Sequence, residues 1–504
     1  MTDPLARRTA PPHAALDPGQ LGTGDMDPDS FRRHGHEVID WIADYLEGVG
    51  ERRVLSDVAP GDIAAALPAA APEGPEAFAA TLEDLERVIL PGVTHWNHPA
   101  FHAYFAITGS GPGILAEALS AALNVNGMLW RTSPAATELE ERTLDWLRQM
   151  LGLAADWRGV LTDTASVSTL VALAAARERA DLDVRNRGMA GRPDLPPLRI
   201  YTSSEAHSSV EKAAITLGLG RDGVRLVPVD GARRLDVGAL RDALEEDIRL
   251  GSRPIAIVAT TGTTSTTSID PVAAIADLRD EVADELGHPI WLHVDGAYGG
   301  VAAICDELRW VLDGVDRADS FVTNPHKWLF TPIDCSALYV RDVDTLTRTF
   351  SLIPEYLTTD DEGVTDYMEW GVQLGRRFRS LKLWAVLRYF GRDGLAERIR
   401  SHVAQAQQVV RWVEEHPHLE LAAPAPLSTV CFRSVLDGED ETQATARNRA
   451  WLAAINATGE AYLSHTVLDE RYVLRLALGN LRTTDERLAT TLELLERELT
   501  ELLP

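Results

Sequence analysis

Lys327 stands in the run Asn324-Pro325-His326-Lys327-Trp328, and upstream of it Asp295 stands in His293-Val294-Asp295-Gly296-Ala297-Tyr298. An amine that can form a Schiff base and a carboxylate that can keep a pyridine nitrogen protonated are the minimal equipment for pyridoxal 5′-phosphate (PLP) chemistry. Trp328, Leu329 and Phe330 give the lysine an apolar setting, which lowers an amine's pKa and favours its neutral, nucleophilic form. Asp295 closes the apolar run Trp291 to Val294 and precedes Gly296, so its carboxylate is expected at the carboxyl edge of a sheet. Standing alone, such an aspartate would read as well as a turn or cap residue.

Three further runs can serve the same cofactor. Asp163-Thr164-Ala165-Ser166-Val167-Ser168 lies between a strand-like segment and a helix expected over Thr169 to Arg179, where backbone donors at a helix start suit a phosphate. A plain serine cap explains the same residues equally well. His207, in Ser204-Glu205-Ala206-His207-Ser208-Ser209, opens another helix, where an imidazole is either structural or placed to stack on a flat ring. Thr263 to Ser268 is a hydroxyl-rich strand end, as often a turn as a site. No Gly-x-Gly-x-x-Gly follows an early strand, and neither His-Glu-x-x-His nor clustered His and Cys spacing suggests a metal.

The elements that must position these residues alternate. Short β-branched runs at Val160–Thr162, Arg199–Thr202, Arg225–Val229, Ile255–Thr260, Trp291–Val294, Ser320–Thr323 and Ala337–Val340 are separated by longer helical stretches. That pattern predicts an α/β fold with a mostly parallel central sheet covered on both faces and ligands at the strand carboxyl ends. Before it, Pro28 sits where a first helical turn tolerates proline, and Phe31, Val38, Ile39, Ile42, Tyr45 and Leu46 recur at helical spacing. After it come helices at Ser380–Phe390 and Leu395–Trp412, then strand-like segments at Ser428–Arg433, Ala461–Leu468 and Tyr472–Leu478. The expected domains are a disordered leader over 1–25, a helical N-terminal arm over 26–110 that needs a neighbour to cover its apolar faces, a large cofactor-binding domain over 111–378 and a small α+β C-terminal domain over 379–504.

At 504 residues, 45% of them hydrophobic, the chain can build more than one core. Its net charge of −28 repels nucleic-acid phosphate and anionic membranes, so neither is an expected partner. Cys305, Cys335 and Cys431 form neither a disulfide framework nor a thiolate metal site, which fits a reduced, cytoplasmic setting. The N-terminus lacks the apolar stretch of a signal peptide, and the alanine-rich run from Ile63 to Ala71 is broken by Pro68 and too short to span a bilayer.

From about Asp27 onward the chain resembles the group II PLP-dependent amino-acid decarboxylases, and within them the aromatic-L-amino-acid decarboxylase branch. The resemblance is carried by Asp29-Ser30-Phe31-Arg32-Arg33-His34-Gly35, Thr94-His95-Trp96, His98-Pro99, Ser133-Pro134-Ala135-Ala136-Thr137-Glu138-Leu139-Glu140, Ala206-His207-Ser208-Ser209-Val210, the Lys327 run, and Leu374-Gly375-Arg376-Arg377-Phe378-Arg379-Ser380, in that order. It implies a type I aminotransferase-like PLP-dependent transferase fold and an obligate homodimer with active sites at the interface. Lys327 is then similar to the Schiff-base lysine, Asp295 to the pyridinium partner and His207 to the ring-stacking residue. Ala297 corresponds to the small residue beneath the ring, Thr264 to the threonine beside the 3′ oxygen, and Ala165, Ser166, Asn324 and His326 to phosphate-binding positions. Tyr356 matches the mobile-loop tyrosine that reprotonates the α-carbon after carbon dioxide leaves; relatives with phenylalanine there tend toward aldehyde formation.

Trp96, Tyr104 and Phe105 match substrate-pocket positions, whereas Ile107, Asn126 and Met128 replace the threonine, isoleucine and phenylalanine of the animal enzymes, Arg131 an alanine and Gly296 an alanine. Such a pocket still suits an indole, phenol or phenyl ring, because methionine fills irregular gaps and contacts ring edges well. The expected reaction is decarboxylation of an aromatic L-amino acid to its amine. The alternatives are an aromatic aldehyde synthase, or a decarboxylase of histidine or of an acidic amino acid that Arg131 would attract.

Overall fold

The structure is a computed structural model that describes residues 15–352 and 363–503, and the chain divides into two compact units. The first gathers the chain through Phe101 with Ala450–Leu463 and the stretch from Arg482 onward. Its long helix, Pro28–Gly48, starts where the sequence predicts: the Asp27 carboxylate accepts from the backbone N–H groups of Asp29 and Ser30, and Pro28 occupies the first turn. The helix buries only Ser30 and His34, and Phe31 and Ile39 of its apolar stripe are exposed. Helix Asp485–Thr500, capped by Thr484, belongs to the same unit, where Trp451 donates its indole N–H to the Leu495 carbonyl at 3.0 Å.

The second unit holds a seven-stranded sheet: β1 (Arg158–Thr162), β2 (Leu198–Ser203), β3 (Val224–Val227), β4 (Arg253–Thr260), β5 (Trp291–Asp295), β6 (Ser320–Thr323) and β7 (Ser336–Val340), in the order β1-β7-β6-β5-β4-β2-β3. Strands β3, β2, β4, β5 and β6 pair in parallel, and β7 runs antiparallel to both β6 and β1. The α/β architecture expected from the alternation is therefore present, with one reversed strand. The reversal follows from the short return between β6 and β7, which leaves no crossover helix. Alternation along β4 feeds two cores: Ala256 and Val258 pack with helices Ala165–Arg179 and Ser209–Thr216, while Ile257 and Ala259 pack on the opposite face with helices that include Val237–Arg249 and Val272–Leu286. Burial on both faces is why these strands read as unbroken apolar runs.

A four-stranded antiparallel sheet follows, built from β8 (Leu419–Leu421), β9 (Thr429–Ser434), β10 (Ser464–Leu468) and β11 (Arg471–Ala477) in the order β10-β11-β9-β8. The two helices expected between Ser380 and Trp412 are both present within Ser380–Glu415, separated by a kink at Gly391, whose φ of +64° is not helical. Among the described residues no helix is long and apolar enough to cross a membrane.

Candidate active site

Because β5 and β6 are parallel neighbours, their carboxyl ends arrive together. Asp295 stands opposite Val322, the Gly296 N–H donates to the Val322 carbonyl at 2.9 Å, and the Asn324 N–H donates to the Ala297 carbonyl at 3.1 Å. The chain then turns through one helical turn, Pro325–Trp328, in which the Lys327 N–H donates to the Asn324 carbonyl at 2.9 Å. Asp295 is buried, and its Oδ1 accepts from the Ala297 N–H at 3.0 Å.

Lys327 is half-buried, with Nζ 5.2 Å from the centroid of the Phe105 ring. Desolvation pulls its pKa below the ordinary lysine value, the positive charge of Arg475 adds to that shift, and Asp295 opposes it. His207, after β2, has its pKa lowered by desolvation first and by the charges of Lys327 and Lys212, with Asp295 again opposing. Its Nδ1 accepts from the Ser209 N–H at 3.1 Å, so in the neutral ring the proton sits on Nε2. Three strand ends thus bring Lys327, Asp295 and His207 within electrostatic reach of one another.

The helix after β1 begins at Ala165, four residues earlier than its hydroxyl-rich sequence suggests, so Ala165 and Ser166 lie in its first turn. Ser168, further along that turn, is structural: its hydroxyl bridges Thr162 at 2.7 Å and Ser336 at 3.0 Å, tying the helix to β1 and β7. His326 uses Nδ1 to accept from the Cys335 N–H at 2.9 Å, and burial together with the Lys327 charge pushes its pKa down to about 3. The ring is neutral, with Nε2–H free to act as a donor. In the loop after β4 the hydroxyls of Thr263, Thr266 and Ser268 bond to one another, while Thr264 is exposed.

Buried oxygens without a protein partner gather at the same edge: Ser203 at the end of β2, Ser209, Thr260 and Thr261 at the end of β4, and Thr323 and Asn324 at the end of β6. Buried polar groups are ordinarily satisfied, so a cluster of orphans calls for a polar ligand. A flat heterocycle carrying a hydroxyl, a phosphate and a ring nitrogen suits the chemistry of these groups: an anionic partner, a neutral donor ring, a helix start and an amine all follow the carboxyl ends of strands of the large sheet, and Ala297 beside Asp295 is small and buried.

The pocket positions separate. Phe105 is buried, and its ring stacks on Tyr298 with centroids 3.8 Å apart; Tyr104 is exposed and holds a φ of +52°. Ile107 is half-buried. Asn126 and Met128 touch each other at 3.5 Å and form a second cluster, in which the Arg376 N–H donates to Asn126 Oδ1 at 2.9 Å and the Met368 N–H to the Met128 carbonyl at 3.1 Å. Among the described residues no hydrogen bond or ring contact joins that cluster to Lys327, Asp295 or His207. Trp96 belongs to the first unit, its ring 4.4 Å from that of Phe101, and Tyr356 lies outside the described residues.

Sequence reasoning missed Arg475. It is buried on β11, donates Nε to the Ser265 carbonyl at 2.9 Å and Nη1 to the Tyr104 carbonyl, and sets its guanidinium 4.6 Å from the centroid of the same Phe105 ring that Lys327 faces. An arginine within an apolar strand near the C-terminus carries no local signal of that proximity. Gly296 proves to be confined: a β-carbon there would lie 2.5 Å from Phe321 Cε2 and 2.8 Å from Thr261 Oγ1.

Residues 60–435 match the pyridoxal-dependent decarboxylase conserved domain. The chain is 40% identical over 489 residues to phenylacetaldehyde synthase of Arabidopsis thaliana, covering 95% of this chain and 97% of that protein. It is 41% identical over 466 residues to aromatic-L-amino-acid decarboxylase of Sus scrofa, covering 90% and 93%. The crystal structure of Oryza sativa TDC with PLP and tryptamine superposes with a TM-score of 0.90 at 37% identity, over 95% of this chain and 100% of that one. With a matched domain over most of its length and relatives alike from end to end, the chain belongs to the pyridoxal-dependent decarboxylase family.

Proposed function

We propose that this protein removes the carboxylate of an aromatic L-amino acid as carbon dioxide and releases the amine, acting as a cytoplasmic homodimer. When bound at the strand tips, PLP supplies the electron sink for the pair left as the carbon–carboxylate bond breaks. In this reading Lys327 would hold the cofactor through Nζ, Asp295 would pair with the ring nitrogen, and His207, Ala297 and Thr264 would hold the ring. Ala165, Ser166, Asn324 and His326 take the phosphate.

The observation that carries the reading is the meeting of the β5 and β6 carboxyl ends, where the Gly296 N–H bonds the Val322 carbonyl and the Asn324 N–H bonds the Ala297 carbonyl, so that Asp295 and the Lys327 turn leave adjacent strands together. Desolvation raises the share of Lys327 that is neutral and nucleophilic near pH 7. Asp295, oriented by the Ala297 N–H, holds a proton at the ring nitrogen. Phe105 and Tyr104 favour a ring-bearing side chain, and delivery of a proton to the α-carbon falls to Tyr356, a role that rests on resemblance alone.

The dimer is supported by apolar surface left open in each unit. Leu115, Leu119 and Leu123, on one face of helix Gly111–Leu123, are each more than half exposed, as is Phe31 in the first unit. A second copy would also give Asn126 and Met128 a role, since among the described residues no hydrogen bond or ring contact joins them to Lys327.

Aldehyde formation is the second reading, favoured by identity to phenylacetaldehyde synthase and opposed by tyrosine at position 356. The purified protein offered L-tryptophan, L-tyrosine, L-phenylalanine, L-DOPA, L-histidine and L-glutamate is expected to yield amine and carbon dioxide from at least one ring-bearing substrate. Peroxide and ammonia in stoichiometric amounts would establish the aldehyde synthase instead, and exclusive turnover of glutamate would refute the aromatic pocket.

A further inference from the structure

Three aromatic rings form a parallel column inside the second unit. Tyr298 stacks on Phe105 with centroids 3.8 Å apart and planes 16° apart, and on Trp328 with centroids 4.7 Å apart and planes 3° apart. Tyr298 and Trp328 are almost wholly buried. Both also follow closely on candidate cofactor residues: Tyr298 is the third residue after Asp295, and Trp328 is next to Lys327. The β5 and β6 tips are joined by backbone bonds at Gly296 and Asn324. The Tyr298–Trp328 stack adds a side-chain link between the two segments.

The column is keyed at its polar ends. The Tyr298 hydroxyl bonds Ser428 Oγ and reaches the Leu478 carbonyl at 3.2 Å. The Trp328 indole N–H donates to His402 Nδ1 at 3.0 Å. Since an indole can only donate, His402 Nδ1 must accept, and Nε2 carries the proton that is given to the Asn480 carbonyl at 3.0 Å. Burial pushes the His402 pKa down to about 4, so this tautomer persists across the neutral range. Ser428 precedes β9 and Leu478 follows β11, so Tyr298 is held by the ends of the small sheet, whereas Trp328 is held by His402 on helix Ser380–Glu415.

We propose that Tyr298 and Trp328 are positioning residues: their stacking sets the separation of Asp295 from Lys327. The inference rests on the reading that Lys327 and Asp295 hold the cofactor. It separates two properties that ordinary core packing would join. Replacing either ring by another flat ring should preserve the spacing, whereas a flexible aliphatic side chain should lose it.

The test is equilibrium dialysis of PLP against each variant, with absorbance of the bound cofactor followed as a function of pH, and with circular dichroism and thermal unfolding of the cofactor-free protein. Tyr298→Phe and Trp328→Phe should stay within about threefold of wild-type affinity, and Tyr298→Leu and Trp328→Leu should fall by about tenfold or more with a shifted pH profile. Trp451→Leu, an equally large loss in the first unit, should lower the unfolding temperature and leave PLP affinity unchanged. Folded leucine variants with wild-type affinity and pH profile would overturn the proposal. So would leucine variants too unstable to purify, or phenylalanine variants as weak as the leucine ones, because the rings would then act only as core. Wild-type protein that binds no PLP, or Lys327→Ala that binds it with the wild-type absorbance, would instead defeat the underlying reading.

Discussion

Arg376 and Glu140 meet at 2.6 Å inside the second unit, and their surroundings close around them. Glu140 Oε1 also accepts from the Leu161 N–H at 2.8 Å, Arg376 donates to the carbonyls of Leu161 at 2.9 Å and Gly127 at 3.2 Å, and its guanidinium lies 4.6 Å from the centroid of the Tyr367 ring. Lys327 and Asp295 are wired the other way. Asp295 has the Ala297 N–H, Lys327 Nζ makes neither hydrogen bond nor ion pair among the described residues, and buried oxygens without a protein partner lie at the ends of the neighbouring strands. A charge network closed by its own chain rigidifies the core and leaves no group unsatisfied. One left open marks where something else must bind.

That contrast is broken or sharpened most by two substitutions read on two scales. Lys327→Ala should lower turnover by at least about 1000-fold while shifting the denaturation free energy of cofactor-free protein by less than about 1 kcal/mol, because no bond within the chain is lost. A large loss of stability would show that the lysine is scaffold after all. Glu140→Ala should do the reverse: a buried arginine left without its carboxylate costs about 3–5 kcal/mol, read as a drop in the urea midpoint with or without cofactor. A Glu140→Ala protein as stable as wild type would remove the distinction between the two regions.

The open region was far more legible in the sequence than the closed one. Asp295 ends an apolar, β-branched run and Lys327 follows another by a single turn, so topology alone sends them to one edge. The seven strands of the large sheet were readable for the same reason, burial on both faces. The strand Leu419–Leu421 was not, since three residues leave no pattern. The early start of helix Ala165–Arg179 was hidden by hydroxyl residues that usually favour loops. Glu140 and Arg376 were visible as family motifs, but nothing local says that residues so far apart in the chain form a pair. The ring column and Arg475 escaped for the same reason: their meaning lies in contacts that only the folded chain creates.

A second carboxylate near the same edge sharpens the contrast through pH. Asp270 accepts from the N–H groups of Leu235 and Thr260, both at 2.7 Å, and burial raises its pKa from 3.8 to about 6. A raised acid pKa means that the folded protein keeps the proton after the unfolded chain has released it. This group's contribution is therefore full below about pH 4, declines as pH rises to about 6 and is constant above, a swing of about 3 kcal/mol. Asp270→Asn should flatten that decline in denaturation curves taken between pH 4 and 6. It should also cost about 1–3 kcal/mol at low pH, because an amide nitrogen cannot accept the second backbone N–H. A decline that survives the substitution would assign it to another group.

The smallest expected effect falls between the two catalytic candidates. Gly296 follows Asp295 on the tip of β5, and a β-carbon there would come within 2.5 Å of Phe321 Cε2 and 3.2 Å of Gly300 Cα. Phe321 is fully buried on β6, and Gly300 is backbone, so neither can withdraw freely. Gly296→Ala should therefore cost about 1–3 kcal/mol of stability, and most of that cost should vanish when Phe321→Leu is already present, a coupling that a double-mutant cycle reads directly. The added methyl carries no charge and forms no hydrogen bond, so turnover per folded molecule should change less than stability does. Equal losses in both would mean that the Asp295 carboxylate has moved with its neighbour, and that the open region depends on close packing as strictly as the closed one.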